Sequence, residues 1–395
     1  MPLQDDHRLQ ITKNYRDSPQ EMPQQNMGRT WVEVDCAALI DNVAVARNAA
    51  GQAAVMAVVK ADAYGHGIAD VTSHLSGHVD AFGVATLAEA LTVRQAVGKN
   101  HMIMVLGALL AEEREAALRS GLHVTVSSID EARQYCALAA TLDCSCPVHL
   151  VADTGMGRLG LLTGEFSAAA TQIATMPNLA IEGFATHFPS ADEDQQFTEH
   201  QINRFRELCR RTGLSPRWVH LANSAGILRF GKAGGNMVRP GLMLYGIAPV
   251  TGSPHAGKLS PALEWKAKVT QIRNLPEGSG ISYGQTFVTP RQMRVATIAA
   301  GYGDGYPRSL SGTAAEVIIA NQRCPILGRV TMDMLMADVS HLETAPVPGD
   351  TVMLLGGKNC PVTAAELAEK AGLIPWEILT GISPRVSRVM INNNN

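Results

Sequence analysis

The sequence predicts a (β/α)8 barrel of the TIM type over residues 29–260, followed by a mostly β domain over residues 261–391. Three observations carry the prediction. Short β-branched runs alternate with helical patterns eight times in the first part of the chain. After Pro261 the texture changes to strands with almost no helix between them. At 395 residues, the chain also exceeds one ordinary compact core, and a barrel of about 250 residues plus a smaller unit fits that length.

The eight candidate barrel strands are 55–60, 79–85, 102–106, 123–127, 148–153, 181–187, 218–221 and 237–244. Between them, stretches such as 87–96, 129–140 and 195–211 space apolar residues at three and four, with Asp130 and Glu131 as first-turn acids. Strand then helix, repeated eight times, is the pattern of a closed parallel barrel. In the second part the candidate strands are 263–272, 293–300, 315–320, 323–327, 334–339 and 351–355, with one helix near 363–371. Residues 1–28 have little apolar periodicity and read as a disordered extension, and residues 392–395 as a frayed polar tail.

A hydrophobic fraction of 46%, a charged fraction of 17% and a net charge of −3 give no electrostatic case for nucleic acid or an anionic membrane. A small-molecule partner is expected instead. Nothing in the first residues resembles the apolar core of a signal peptide and no eighteen apolar residues run together, so a cytoplasmic location is expected. The seven cysteines are scattered without zinc-type spacing, and no metal is expected. Cys144 and Cys146 form a lone C-x-C, readable as a weak metal signal or as two small residues ahead of a buried strand.

The chemistry begins at Ala57-Val58-Val59-Lys60-Ala61-Asp62-Ala63-Tyr64-Gly65-His66-Gly67, where an apolar strand delivers one lysine to the barrel face that carries active sites. A desolvated lysine moves toward the neutral amine that forms an imine with an aldehyde. Read alone, Lys60 is equally a strand-end lysine snorkelling to solvent. Gly155-Met156-Gly157-Arg158-Leu159-Gly160 satisfies G-x-G-x-x-G, but it follows the fifth strand, and Leu161-Leu162-Thr163-Gly164 stands where a dinucleotide site needs a helix. Arg158 there is a cation suited to a carboxylate or phenolate, or a plain surface arginine. His187 ends the sixth strand, and a lone histidine of this kind is more often a satisfied core residue. Asn223-Ser224-Ala225-Gly226 and Arg239-Pro240-Gly241-Leu242 follow strands seven and eight, where barrels commonly hold a phosphate. Tyr283, Tyr302 and Met332-Asp333 lie in Gly-rich clusters of the second domain.

Taken in order, these blocks resemble the motif series of the alanine racemases, from about Thr30 to Arg388. The resemblance implies pyridoxal 5'-phosphate (PLP) as cofactor, interconversion of L- and D-alanine by two bases, a supply of D-alanine for uses such as peptidoglycan, and a homodimer with shared active sites. It makes Lys60 the cofactor lysine and one base, and Tyr283 of the other subunit the second. It places Tyr64, Ser224, Gly241 and Leu242, with Asn223 beside them, at the phosphate. Arg158 goes to the phenolic oxygen and the substrate carboxylate, Arg239 to the ring nitrogen, and His187 by the ring, linking Arg239 to Tyr283. Met332 and Tyr302 fall at the substrate, with Asp333 and Trp376 in support.

Two positions depart from the family pattern. Val151 stands where a carbamylated lysine usually pairs with Arg158, and Trp376 where a tyrosine hydroxyl usually reaches the phosphate. A serine or broad-specificity racemase and a non-catalytic PLP-binding barrel are the alternatives. A decarboxylase of the same fold would bring a cysteine motif that neither Cys324 nor Cys360 supplies.

Overall fold

The computed structural model describes residues 28–356 and 361–392, so the expected extension lies outside the described residues except for Gly28, and the tail except for Asn392. Eight parallel strands form the first unit: Ala54–Val58, Ala81–Val84, Met102–Val105, His123–Val126, Cys146–Asp153, Leu179–Ala185, Trp218–His220 and Met237–Val238. The last pairs with the first, Met237 opposite Ala54, and the barrel closes. Parallel strands covered on both faces have no solvent side to mark with polar residues, and Ala81–Val84 is accordingly buried at all four positions.

Helices wrap the barrel and start where the sequence supplies caps. Thr86 and Glu89 form a capping box for Leu87–Val97, Ser128 caps Ile129–Thr141, and Asp194 caps Gln195–Thr212. The eighth strand is shorter than the expected 237–244. Pro240 has no N–H for the ladder, and the chain turns into a 3-10 helix, Leu242–Tyr245.

The second unit is an antiparallel sheet ordered Met293–Ile298, Leu335–Asp338, Gln322–Leu327, Glu316–Ile319, Thr351–Gly356 and Leu263–Leu275. The long last strand is bulged between Val269 and Gln271 and reaches round to pair with Met293–Ile298, closing the sheet on itself. Two further strands extend it. Thr30–Asp35 pairs antiparallel with Leu263–Leu275 and parallel with Ser387–Ile391, so from Thr30 the chain runs out of this sheet, through the barrel, and back into it. A barrel unit beginning at residue 29 does not separate this strand, although its β-branched run with Val32 and Val34 buried carries the signal. The helix Cys36–Ala49, capped by Asp35, carries the chain across. On it, fully buried Asn42 donates to Leu244 O and Ser260 O and accepts from Ser260 N, tying the end of the barrel to the second unit.

Candidate active site

The barrel's carboxyl end opens into a cavity of about 570 Å³, within the usual range for small-molecule sites. It is lined by Lys60, Tyr64, Arg158, His187, Asn223, Ser224, Arg239, Gly241, Leu242 and Trp376, with Val151 among the apolar walls. Three cations thus face a space whose only lining acid among the described residues is Asp192. That balance favours an anionic ligand.

Lys60 does not end the first strand; it opens the turn after it. The next four residues, Ala61 to Tyr64, all have φ between 52° and 54°, a left-handed helical turn built without glycine. Such a conformation costs about 1–2 kcal/mol per residue, so it must be held. Glu89 accepts Ala61 N–H at 2.7 Å, and Asp62 accepts Ile68 N–H at 2.8 Å. From the second unit, Arg388 donates to Gly65 O at 3.1 Å, and a side chain on Gly65 would meet Leu379 O at 2.2 Å. Within this setting burial, then the charge of Arg158, holds the Lys60 amine below its usual pKa, with Glu89 opposing.

Beside it, where the eighth strand adjoins the first, lies a cradle. Ser224 Oγ accepts the N–H groups of Gly241 and Met243 at 2.9 and 3.3 Å, which leaves its own proton to donate. Tyr64 stacks on Tyr245 at 4.8 Å and brings its hydroxyl to within 2.4 Å of where a Gly241 side chain would begin. Leu242 opens a 3-10 turn, so its N–H has no intrahelical partner. Asn223 acts indirectly: its amide caps Gly226 N and donates to Phe188 O, fixing the loop that presents Ser224.

Arg239 is fully enclosed and meets no carboxylate among the described residues. Its Nη atoms donate to Thr186 O, His220 O, Leu221 O, His220 Nδ1 and, at 3.4 Å, His187 Nδ1. Burial, then Arg158, pushes it down to about 10, still fully protonated near neutrality. His187 accepts from Arg239, and burial followed by the charges of Arg239, Arg158 and Lys60 lowers it to about 3, so it is neutral. The glycine-rich loop before Arg158 is no dinucleotide site. Asp153 already accepts the N–H groups of Gly155, Met156 and Gly157, and a two-residue strand, Leu161–Leu162, follows instead of a helix. Arg158 itself has no hydrogen bond or ion pair among the described residues, and apolar Val151 offers it none.

Tyr283, Tyr302 and Met332 do not line this cavity. They stand 69%, 41% and 52% exposed in the second unit, where Tyr302 and Gly303 donate to Thr331 O and Met332 O at 3.0 and 2.8 Å. Asp333 pairs with Arg385 at 2.6 Å, and Arg385 also grips buried Asp304 at 2.7 Å. Trp376, on the short helix Pro375–Thr380 that the sequence pattern does not separate, reaches the cavity beside Thr380.

Glu89, Asp153 and a set of buried histidines were not foreseen from the motifs. Glu89 is visible as a capping-box acid; the histidines carry no local signal. Burial is the first cause lowering His66 and His123 to about 4 and His149 to about 3. Their folded pKa values lie below the unfolded value near 6.5, so the unfolded chain binds more protons between those limits. The stability they hold is complete above about pH 6.5 and is lost as pH falls toward 4, with roughly 3 kcal/mol at His66 alone. Calorimetric midpoints are expected to be level above pH 7 and to drop steeply from about pH 6.5 to 4; a flat profile there would contradict this.

A closed parallel barrel with one desolvated lysine beside an anion cradle defines a class: barrel proteins that hold a phosphorylated aldehyde cofactor at a lysine. Within it, residues 34–249 match the alanine racemase N-terminal domain and residues 262–390 its C-terminal domain. The chain therefore belongs to the alanine racemase family. It is 39% identical over 368 residues to the alanine racemase of Halothermothrix orenii, covering 91% of this chain and 96% of that one. The solved alanine racemase of Streptomyces lavendulae superposes with a TM-score of 0.87 at 31% identity, over 92% and 97% of the two chains. That of Bartonella henselae, solved with covalently bound pyridoxal phosphate, gives 0.84 at 28% identity over 92% and 100%.

Proposed function

We propose that this chain interconverts L- and D-alanine using PLP held at Lys60, with Lys60 and Tyr283 of the partner subunit as the two proton-transfer groups. The observation that carries the reading is the desolvated Lys60 amine beside the Tyr64, Ser224 and Gly241 cradle in one cation-lined cavity. The residues present fit the group: the cradle is open where a side chain on Gly241 would close it, and donors surround it. When bound, the cofactor supplies an electron sink that acidifies the α-hydrogen of the amino acid.

The protein does the rest. Tyr64, Ser224, Gly241 and Leu242 hold the phosphate, and Trp376 closes that end without the hydroxyl a tyrosine would add. Arg158 takes the phenolic oxygen and the substrate carboxylate, and the partner subunit's Met332 and the partner subunit's Tyr302 complete the substrate pocket. Arg239 can only donate, so it offers the ring nitrogen a hydrogen bond and no negative charge. That restrains the sink and favours prompt proton return over side reactions. Lys60 Nζ takes or returns the α-proton on one face, and the Tyr283 hydroxyl serves the other. Neutral His187 links Arg239 toward Tyr283 through hydrogen-bond polarity rather than a relayed charge.

This reading requires a homodimer, and the exposed Tyr283, Tyr302, Met332 and Met334 supply a face for it. Asp333, held by Arg385, steadies that edge. No helix among the described residues is long and apolar enough to cross a membrane. We read the reaction as cytoplasmic, and membership of the family supports a supply of D-alanine for uses such as peptidoglycan.

The test is a racemisation panel over alanine, serine and other small amino acids, followed by circular dichroism with PLP present. Alanine is expected to turn over fastest; failure with alanine alongside turnover of another amino acid would overturn the assignment. A second expectation concerns the cradle. Gly241→Ala puts a methyl group against the Tyr64 hydroxyl, and Tyr64 cannot swing away from Tyr245. Cofactor affinity, read by absorbance titration, should fall about tenfold, the worth of one good hydrogen bond to the phosphate. Unchanged affinity would remove Tyr64 and Gly241 from the phosphate site.

A further inference from the structure

The interior of a parallel barrel is ordinarily filled with branched apolar side chains, yet a polar line crosses this one. Arg239 Nη1 meets His220 Nδ1 at 2.6 Å, His220 Nε2 meets His149 Nδ1 at 2.8 Å, and His149 Nε2 meets His123 Nδ1 at 3.1 Å. His149 and His220 are fully buried. His123 opens the fourth strand, at the amino end of the barrel, whereas Arg239 follows the eighth at the carboxyl end, so the line spans the barrel from floor to cavity. Room is made for it: a side chain on Gly183, opposite His149 in the sheet, would begin 2.1 Å from His149 Nδ1.

The line has one direction. An arginine only donates, so His220 Nδ1 must accept and His220 carries its proton on Nε2. That proton goes to His149 Nδ1, which puts the next on His149 Nε2, and that one goes to His123 Nδ1. All three rings are therefore neutral with the proton on Nε2. Reversing any one of them turns a donor against a donor at the next link and, in the end, against Arg239. An unmatched polar pair in a buried site is costly, so the members hold one another in a single arrangement.

We propose that His123, His149 and His220 are positioning residues: a one-way hydrogen-bonded line that fixes how the Arg239 guanidinium is seated at the cavity. This rests on the assignment of Arg239 to the cofactor ring. The charged groups bearing on the line are all cations, Arg239 and Arg158 at the cavity and Arg94 and Arg217 by His123. They oppose an added proton along its length.

The test uses the full-length holoenzyme labelled with 15N-histidine. The three rings are expected to show a protonated Nε2 and a bare Nδ1 from pH 8 to 5; a proton on Nδ1 or a charged ring at pH 7 would overturn the proposal. His123→Phe removes the terminal acceptor, and kcat should fall about tenfold with KM within about twofold, the value of one buried hydrogen bond. His123→Gln, whose amide oxygen can accept the same bond, should restore kcat to within about threefold. Equal kcat in both variants and the wild type, or loss of thermal stability alone, would overturn it. The nitrogen spectra do not depend on turnover, so absence of alanine racemisation would count against the proposed function and leave the line to be judged on its tautomers.

Discussion

Replacing Lys60 by alanine is expected to abolish both racemisation and the visible absorbance of lysine-bound cofactor. Two losses coincide. On its proposed roles the covalent anchor goes, and so does a proton-transfer group, and a positioned acid–base group alone contributes about 10²–10⁴-fold. Together they predict a fall in kcat/KM of about 10⁴-fold or more. The surrounding cavity should persist, because Lys60 makes none of the bonds that hold its turn: those come from Glu89, Asp62 and Arg388. A variant that keeps the visible band would remove Lys60 from the site and end the reading.

For Tyr283→Phe the expected result is one-sided. The cofactor should still load, since Tyr283 lies outside the cavity of its own protomer and is 69% exposed there. Abstraction of the α-proton from L-alanine should fall about 10²–10⁴-fold, the usual contribution of such a group. Net rates in the two directions cannot reveal this, because the equilibrium constant ties their ratio. Hydrogen isotope exchange followed separately from each enantiomer can. Equal losses from both would place Tyr283 elsewhere than on a single face of the α-carbon, and no loss would remove it from the reaction.

Much of the barrel is legible because strands such as Ala54–Val58, Ala81–Val84 and Met102–Val105 are short, almost wholly buried apolar runs without the polar face of an amphipathic helix. The eighth strand departs from its expected length for a local reason, since Pro240 ends the ladder inside a run that otherwise reads as strand. The run of Thr30–Asp35 signals a strand but not which sheet it joins, because its partners in Leu263–Leu275 and Ser387–Ile391 lie far along the chain and no local period announces such pairing. Among site residues, those on strand-end loops are readable as motifs, and Lys60, Tyr64, Arg158, His187, Ser224 and Arg239 share one cavity. The second-unit residues named with them stand apart from it in the protomer. His123, His149 and His220 cannot be found by motif. Each is a single histidine in an apolar strand, and only closure of the barrel brings the three into line.

The left-handed turn after Lys60 ties the placing of that lysine to the seating of the second unit. The barrel strands and the cradle are made by residue 246, but Leu379 and Arg388, which brace that turn, belong to the second unit and follow the barrel in the chain. Domains generally fold as they emerge, amino end first, so a nascent barrel would hold a nearly complete pocket with the turn of its lysine braced by Glu89 and Asp62 alone. Four left-handed residues at about 1–2 kcal/mol each would then relax toward ordinary backbone and carry Lys60 off its station. A chain cut short before Pro375 keeps every lining residue of the barrel and loses the means of aiming one of them. The aim of Lys60 thereby reports that the second unit is in place on the barrel.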